Sequence, residues 1–374
     1  MHGPESIDCI VVGAGLAGLA AAVTLLAAGC RVRVIEGAGR IGGRVHAVHV
    51  GRDEQGAAFA DLGPTWVWPP YQPVIDRWAK RLNVGLFAQY EAGEGLLDGF
   101  GGPPRRQILP GQDGISRLVG GPSALVAALA RQLPEGAVQL NARVTAIAPG
   151  AGGLEVSIAG QETLRARHVV LATPLRVAAA QIDLAGLPQP QARSLLAAME
   201  DTPTWMAQQA KAVALYPEAF WRKAGLSGRV ASRTGPLVEV HDHCPAHGRG
   251  AALFGFVGWP VADRAGAGAE ALRAQILVQL MRCFGPEAGH PTEVIVQDWA
   301  QEPLICGPRD LTDPPRHPEV GPAVLRDGMF GGRLWLGVSE TATRSPGLIE
   351  GAFAAGEAAA SRVLQARTGH LSRP

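Results

Sequence analysis

Near the start of the chain, Gly13-Ala14-Gly15-Leu16-Ala17-Gly18 sets three glycines at the G-x-G-x-x-G spacing. These types suit pyrophosphate binding. Gly13 permits a tight turn, Gly15 lets backbone approach the phosphates, and Gly18 allows a helix to pack closely on a strand. The first N–H groups of that helix, at Leu16 and Ala17, then face the anion. Glu36 follows at the end of the next apolar run, where a carboxylate accepts hydrogen bonds from ribose hydroxyls. Lys211 stands inside the apolar run Ala210–Val213, and a lysine so placed must find a partner or lose its charge. Toward the C-terminus, Ser339, Glu340, Thr341, Thr343 and Ser345 put one acid among four hydroxyls ahead of Pro346-Gly347.

The elements that must position these residues begin with a β-α-β unit. Ile7–Val12 is apolar apart from Asp8, as in a parallel strand covered on both faces. Leu16–Ala28 is rich in Ala and Leu and reads as a helix ending at Gly29. Arg31–Ile35 alternates Arg with β-branched residues and reads as the second strand. Helices are expected at about Pro73–Leu82 and Gly121–Leu133, with a Gly-rich stretch (91–114) between them. The runs VQL, VTAIA, LEVSI, TLRA and HVVLAT between Val138 and Thr173 read as a β-meander feeding one last buried strand. Further strands are expected at Gln208–Leu215, Leu237–Val240, Ala252–Val257, Val294–Trp299 and Leu334–Leu336, with a helix over Ala267–Phe284. This pattern predicts an α/β fold: a discontinuous Rossmann-like nucleotide-binding domain and a second, smaller α+β substrate domain built on a mixed sheet. The expected division assigns 1–79, 117–200 and 300–370 to the first domain, and 80–116 and 201–299 to the second.

The 374 residues suffice for one large or two ordinary domains, and a formal net charge of +1 gives no reason to expect nucleic acid or an anionic membrane as partner. Five cysteines, odd in number and without paired spacing, point to a reduced, cytoplasmic chain rather than a disulfide framework. The apolar run Cys9–Ala28 is broken by Gly13, Gly15 and Gly18, which argues against a signal peptide or a membrane span. His241, His243, Cys244 and His247 form a dense cluster, but no second group of ligands stands at a finger-like spacing. A surface loop is the expectation there, with no metal.

The G-x-G-x-x-G unit leaves NAD or FAD open. The next stretch, Gly39-Arg40-Ile41-Gly42-Gly43-Arg44, resembles the extension found in FAD enzymes of the amine oxidase and phytoene desaturase superfamily. Two glycines bring backbone beside the cofactor, and Arg44 offers charge to a phosphate. Four later stretches resemble flavin-containing amine oxidases of the monoamine oxidase type. Asp61-Leu62-Gly63-Pro64-Thr65-Trp66 is similar to the segment passing alongside the flavin. Gly120–Leu125 with Val144–Ile147 resembles the helix and strand that hold the adenine half, with Val144 giving backbone contacts. Lys211 with Tyr216–Lys223 resembles the active-site lysine and the strand end after it, and Val338–Thr341 with Pro346–Ala352 resembles the closing flavin segment.

The resemblance implies non-covalent FAD, a small-molecule amine and dioxygen as partners. It implies hydride transfer from the carbon beside a neutral amine to flavin N5, hydrolysis of the imine, and reoxidation giving hydrogen peroxide. Lys211 would hold a water near the flavin, Glu340 would contact the ribityl–phosphate part, and the backbone at Leu348 and Ile349 would face the pyrimidine, where a helix N-terminus stabilises negative charge. The chain departs from the family in three ways. Leu348 stands where monoamine oxidases place one of two caging tyrosines, so Trp299, Trp66 or Trp68 is expected to supply an aromatic wall. Val338 replaces a usual glycine, and the segment before Gly120 is short. Cys306 lies in Leu-Ile-Cys-Gly-Pro rather than the context of the flavin-linking cysteine, and is read as a buried free thiol. A flavin dehydrogenase acting on C–C bonds, or a flavin-binding paralogue without amine turnover, stays open at this point.

Overall fold

The structure is a computed structural model that describes residues 7–50, 58–247 and 250–371. Its first sheet grows from Ile7–Val12, which pairs in parallel with Val32–Ile35 on one side and Leu164–Leu171 on the other. Helix Leu16–Ala27 makes the crossover between the first two strands. Leu334–Leu336 adds in parallel to Leu164–Leu171, and Val138–Gln139 adds to Val32–Ile35. Antiparallel strands Val144–Gly150 and Gly153–Ile158 complete the seven. The inner strands are apolar on both sides because helices cover one face and the meander with its following helices covers the other. Helix Ile349–Leu371 packs along Leu16–Ala27, and the approach is close: a Cβ on Gly356 would lie 2.3 Å from the Ala17 carbonyl oxygen.

The second sheet also has seven strands, in the order Glu293–Asp298, Ala210–Tyr216, Ala251–Val257, Leu237–Asp242, Leu226–Ser232, Glu94–Asp98 and Arg105–Gln107. It is mixed, since Leu226–Ser232 runs parallel to Glu94–Asp98 while the other pairs are antiparallel. Side chains alternate between its faces. Ala210, Ala212 and Ala214, with Leu253 and Val257, pack under helix Ala269–Phe284 through Leu272, Ile276 and Leu280. Lys211, Val213 and Leu215 therefore point the other way, onto Ala60, Leu62, Phe254 and Trp66.

Several boundaries differ from the sequence reading. The runs TLRA and HVVLAT are one strand, Leu164–Leu171, whose first half completes the meander and whose second half joins the parallel core. Val138–Gln139 lies at the far edge, outside the meander. The helix expected over Ala267–Phe284 begins earlier and breaks at Gly268 (φ +81°), giving Val261–Ala267 and Ala269–Phe284. The Gly-rich stretch hides two short strands, and helices Leu175–Gln181 and Gln189–Asp201 lack a periodicity that announces them. Among the described residues, no helix is long and apolar enough to cross a membrane.

Candidate active site

A cavity of about 730 Å³ runs from the carboxyl ends of the first sheet's strands to the Lys211 face of the second. Ligands in open α/β sheets bind outside such strand ends. Of the residues expected to act on substrate or hold the cofactor, Gly18 and Glu340 alone do not line this cavity; Thr341, Thr343, Ser345, Cys306 and the His241–His247 cluster also lie outside it.

At one end the wall is mostly backbone. Gly13 adopts φ +104°, and a Cβ there would sit 2.9 Å from the Ala172 carbonyl oxygen. Gly18 serves packing: its Cβ would meet the Gly13 carbonyl oxygen at 2.0 Å. A Cβ on Gly15 would meet no other atom closer than 4.0 Å and would project beside the cavity-lining loop at Gly42 and Gly43. Leu16 and Ala17 open the helix, so their N–H groups have no intrahelical acceptor. Glu36 ties this loop together, accepting from Ala14 N at 2.6 Å and Ala38 N at 2.8 Å while still facing the cavity. Val144 and Arg143 form the wall beyond it.

The middle of the cavity is held by a charged clamp. Arg44 grips Glu340 with both arms (2.6 and 3.0 Å) and donates to Ser339 Oγ at 2.8 Å and to the Trp205 carbonyl at 3.3 Å. Burial alone would raise the Glu340 carboxyl, but the Arg44 guanidinium holds it below the ordinary value. Glu340 is thus a buried counter-ion that fixes Arg44, one layer behind the surface. Gly63 passes so close to this loop that its Cβ would lie 2.0 Å from the Arg44 carbonyl oxygen, which sets Pro64 and Thr65 against the cavity. Leu348 N–H bonds back to the Ser345 carbonyl at 3.3 Å, and the helix proper begins at Ile349. Glu350 turns away and accepts from Val74 N and Ile75 N, capping helix Pro73–Arg81.

At the far end the wall is side chains. Lys211 is 1% exposed and donates to the Gly63 carbonyl (2.9 Å) and Thr65 Oγ1 (2.5 Å), with its ammonium 4.3 Å from the Phe254 ring centre. Burial pushes its pKa down, Asp61 pulls it back up, and Arg117 pushes it down further. Strand register puts Lys211 opposite Phe256, and Phe256 opposite Glu239, so the three form a row across the sheet. Trp66 stands over this row, its ring 4.7 Å from His241 and 5.2 Å from Phe254, with Nε1 bonded to Gln89. Trp299 is pinned by Nε1 to the Leu62 carbonyl at 3.0 Å, and the Arg40 guanidinium lies 5.9 Å over its ring.

Three features escaped the sequence reading. The aromatic wall beside Gly347 and Leu348 includes Trp205, tilted on His317 at 4.6 Å; a Cβ on Gly347 would lie 2.8 Å from Trp205 Cβ. Nothing local to Thr204-Trp205-Met206 marks it, though Met206 takes a left-handed φ of +63° that turns the chain there. Glu239 and Phe256 become cavity residues through register alone. The His241–Cys244 cluster is not a surface loop: His241 and His243 are buried on the face toward Trp66 and Asp61, Cys244 is buried on the opposite face beside Asp242, and His247 is exposed. No metal-holding group of three occurs among the described residues. Cys306 is buried, and burial pushes its thiol up to about 12, so it carries no thiolate at neutral pH.

The chain matches the flavin containing amine oxidoreductase family over residues 16–94 and 75–364. It is 28% identical over 242 residues to a probable flavin-containing monoamine oxidase A of Dictyostelium discoideum, covering 64% of this chain and 51% of that protein. It is 29% identical over 253 residues to a flavin-containing amine oxidase of Oncorhynchus mykiss, covering 66% and 47%. The chain thus spans about half the length of these relatives. Among solved structures, putrescine oxidase bound to putrescine superposes with a TM-score of 0.78 at 21% identity, over 96% of this chain and 99% of that one. Cyclohexylamine oxidase from Brevibacterium oxydans IH-35A gives 0.80 at 20%, over 97% and 100%. At that identity the superpositions speak for the fold.

Proposed function

Because the chain belongs to the flavin containing amine oxidoreductase family, we propose that it is an FAD-dependent amine oxidase using dioxygen as acceptor. The observation that carries this reading is Lys211: a lysine sealed from solvent yet lining the same cavity as the glycine loop.

The residues fit the cofactor. The glycine end offers a cradle lined by bare backbone at Gly13 and Gly15, helix N–H groups at Leu16 and Ala17, and Glu36 at the ribose position. Arg44 and Glu340 brace the middle, Gly63 to Trp66 run along one side, and Leu348 and Ile349 close the end. FAD bound there supplies a two-electron oxidation of the amine carbon–nitrogen unit and passes the electrons to dioxygen, giving peroxide. It is held non-covalently, in keeping with the protonated, recessed Cys306 thiol.

The chain's own part is to choose, orient and dry the substrate. Trp66, Phe256 and Trp299 present apolar surface that favours a neutral amine over its ammonium form. Trp205 and His317 bound the site beside Leu348, in place of a tyrosine pair. The Lys211 amine is positioned by Gly63 and Thr65 to hold a water against this surface, ready for the imine that leaves. Glu239, which accepts from or pairs with His241 at 3.2 Å, gives the wall one acid that an additional cationic group on the substrate would meet.

The test is product stoichiometry on a panel of primary and secondary amines. One peroxide and one aldehyde or ketone per amine consumed is expected. Oxidation of a C–C bond in place of the amine, or no turnover of any amine, would overturn the reading.

A further inference from the structure

Behind Lys211, away from the cavity, lies a small group of buried charges that the proposed reaction does not use. Asp61 ends strand Ala58–Asp61, just before the Gly63–Thr65 segment that grips the lysine. Its backbone N–H donates to His243 Nε2 at 3.2 Å, and its Oδ2 stands 3.4 Å from the same nitrogen. A ring nitrogen that accepts from a backbone N–H carries no proton. His243 is therefore neutral, as its complete burial also demands, and it is no counter-ion for the carboxylate. Among the described residues, no hydrogen bond reaches Asp61 Oδ2.

Arg117, from strand Ser116–Leu118, is 2% exposed, and among the described residues it donates to the Cys244 carbonyl at 2.7 Å and the His243 carbonyl at 3.3 Å, with the Phe87 ring 5.2 Å away. Lys211 likewise touches a carbonyl, a hydroxyl and a ring. The other titratable groups on the faces packed against it have nearer partners of their own. Glu239 pairs with His241 on the same strand, and Asp242 points to the opposite face, where Arg222 and Trp221 hold it. Gln297, beside Lys211 across the sheet edge, is neutral. Asp61 and two buried cations thus share this packed region behind the cavity, and Asp242, on the far face, is a second carboxylate that acts on Arg117 but not on Lys211.

We propose that Asp61 and Arg117 are positioning residues that set the charge on Lys211, Asp61 as its counter-ion and Arg117 as the competing cation. Neither lines the cavity, so each acts through the lysine. The consequence is chemical. A neutral Lys211 has a lone pair and takes a proton from a bound water as that water's oxygen bonds to the imine carbon, whose π electrons move onto nitrogen; as ammonium it only donates. With Asp61 shared between two cations, neither gains its full support, and Lys211 gives up its proton at a pH where surface lysines keep theirs. This charge relation stands apart from the oxidase reading, and only its consequence for turnover rests on that reading.

The chain's composition makes the test direct. It contains three lysines, Lys80, Lys211 and Lys223. The side chains of Lys80 and Lys223 are 74% and 67% exposed and serve as internal references. Lysine-selective 13Cε labelling of the FAD-loaded protein, titrated by NMR, reads all three, with Lys211 assigned by its loss in Lys211→Met. The wild-type Lys211 midpoint should lie below both references. Asp61→Asn, which keeps shape while removing the charge, should lower it by about one pH unit or more, and Arg117→Met should raise it by a similar amount. The limb of the kcat/KM profile that reports Lys211 should move in the same two directions. Loosened packing would admit water in both variants and carry both midpoints up toward the references. An Asp61→Asn midpoint that rises or stays in place therefore overturns the proposal. Should Arg117→Met fail to fold, Arg117→Lys retains the charge and must leave the Lys211 midpoint where it is; a large rise there would also contradict the proposal.

Discussion

The two ends of the cavity are built on opposite plans. At the glycine end the wall is backbone from nearly continuous sequence, residues 12–17 and 35–45, and its shape depends on atoms that are missing. At the lysine end the wall is side chains from segments far apart in the chain, Thr65, Lys211, Glu239 and Phe256, brought into line by register between strands. The first end is intolerant of added volume. The second tolerates changes of shape but answers to changes of charge.

Substitutions should divide along that line. The largest effect belongs to Gly18→Val, whose side chain would be driven into the Gly13 carbonyl; FAD affinity should fall by 100-fold or more, about 2.7 kcal/mol, in a flavin titration of the refolded protein. If Gly18→Val bound FAD normally, the backbone plan would be wrong.

Next comes the clamp between the two ends. Glu340→Ala leaves Arg44 without its carboxylate, and breaking a largely buried pair costs about 3 kcal/mol in urea melts. Replacing both partners together by Arg44→Met and Glu340→Leu should return most of that stability, since the desolvation cost of both charges then disappears. The pair also has a pH signature. The folded Glu340 carboxyl lies below its ordinary value, so its contribution is present at neutral pH and is lost as pH falls through the depressed value. Glu340→Gln should therefore flatten the acid side of the stability profile.

Lys211→Met should leave FAD binding intact while lowering kcat on the order of 100-fold, the scale of a lost proton-handling group. A variant that lost flavin instead would blur the contrast between the ends. The smallest effect is expected at Glu239→Gln. KM should rise several-fold for amines with a second cationic group and stay unchanged for simple monoamines, as steady-state assays on matched pairs would show.

The same contrast explains what could be read from the sequence. Gly13 to Gly18 with Glu36 is a local device, because Gly13 and Gly18 answer clashes within the same β-α-β unit or with the strand end beside it, and Gly15 leaves the backbone bare beside the cavity. Lys211 was legible as an anomaly, one charge in an alanine-rich strand. Its partners Asp61 and Arg117 were not, since their relation to it exists only after three separate strands have packed. The buried histidines were misread for the same reason: polar letters in a run suggest a loop until the sheet shows which way they face. Trp205 depended on the turn at Met206, which carries no glycine to announce it.

The measurement closest to the central claim is the visible spectrum of the purified, FAD-loaded protein under anaerobic conditions, before and after adding amines. The flavin band should bleach with at least one amine, return on admitting air with one peroxide formed, and bleach far more slowly in Lys211→Met. A flavin band that dithionite bleaches but no amine does would contradict that claim.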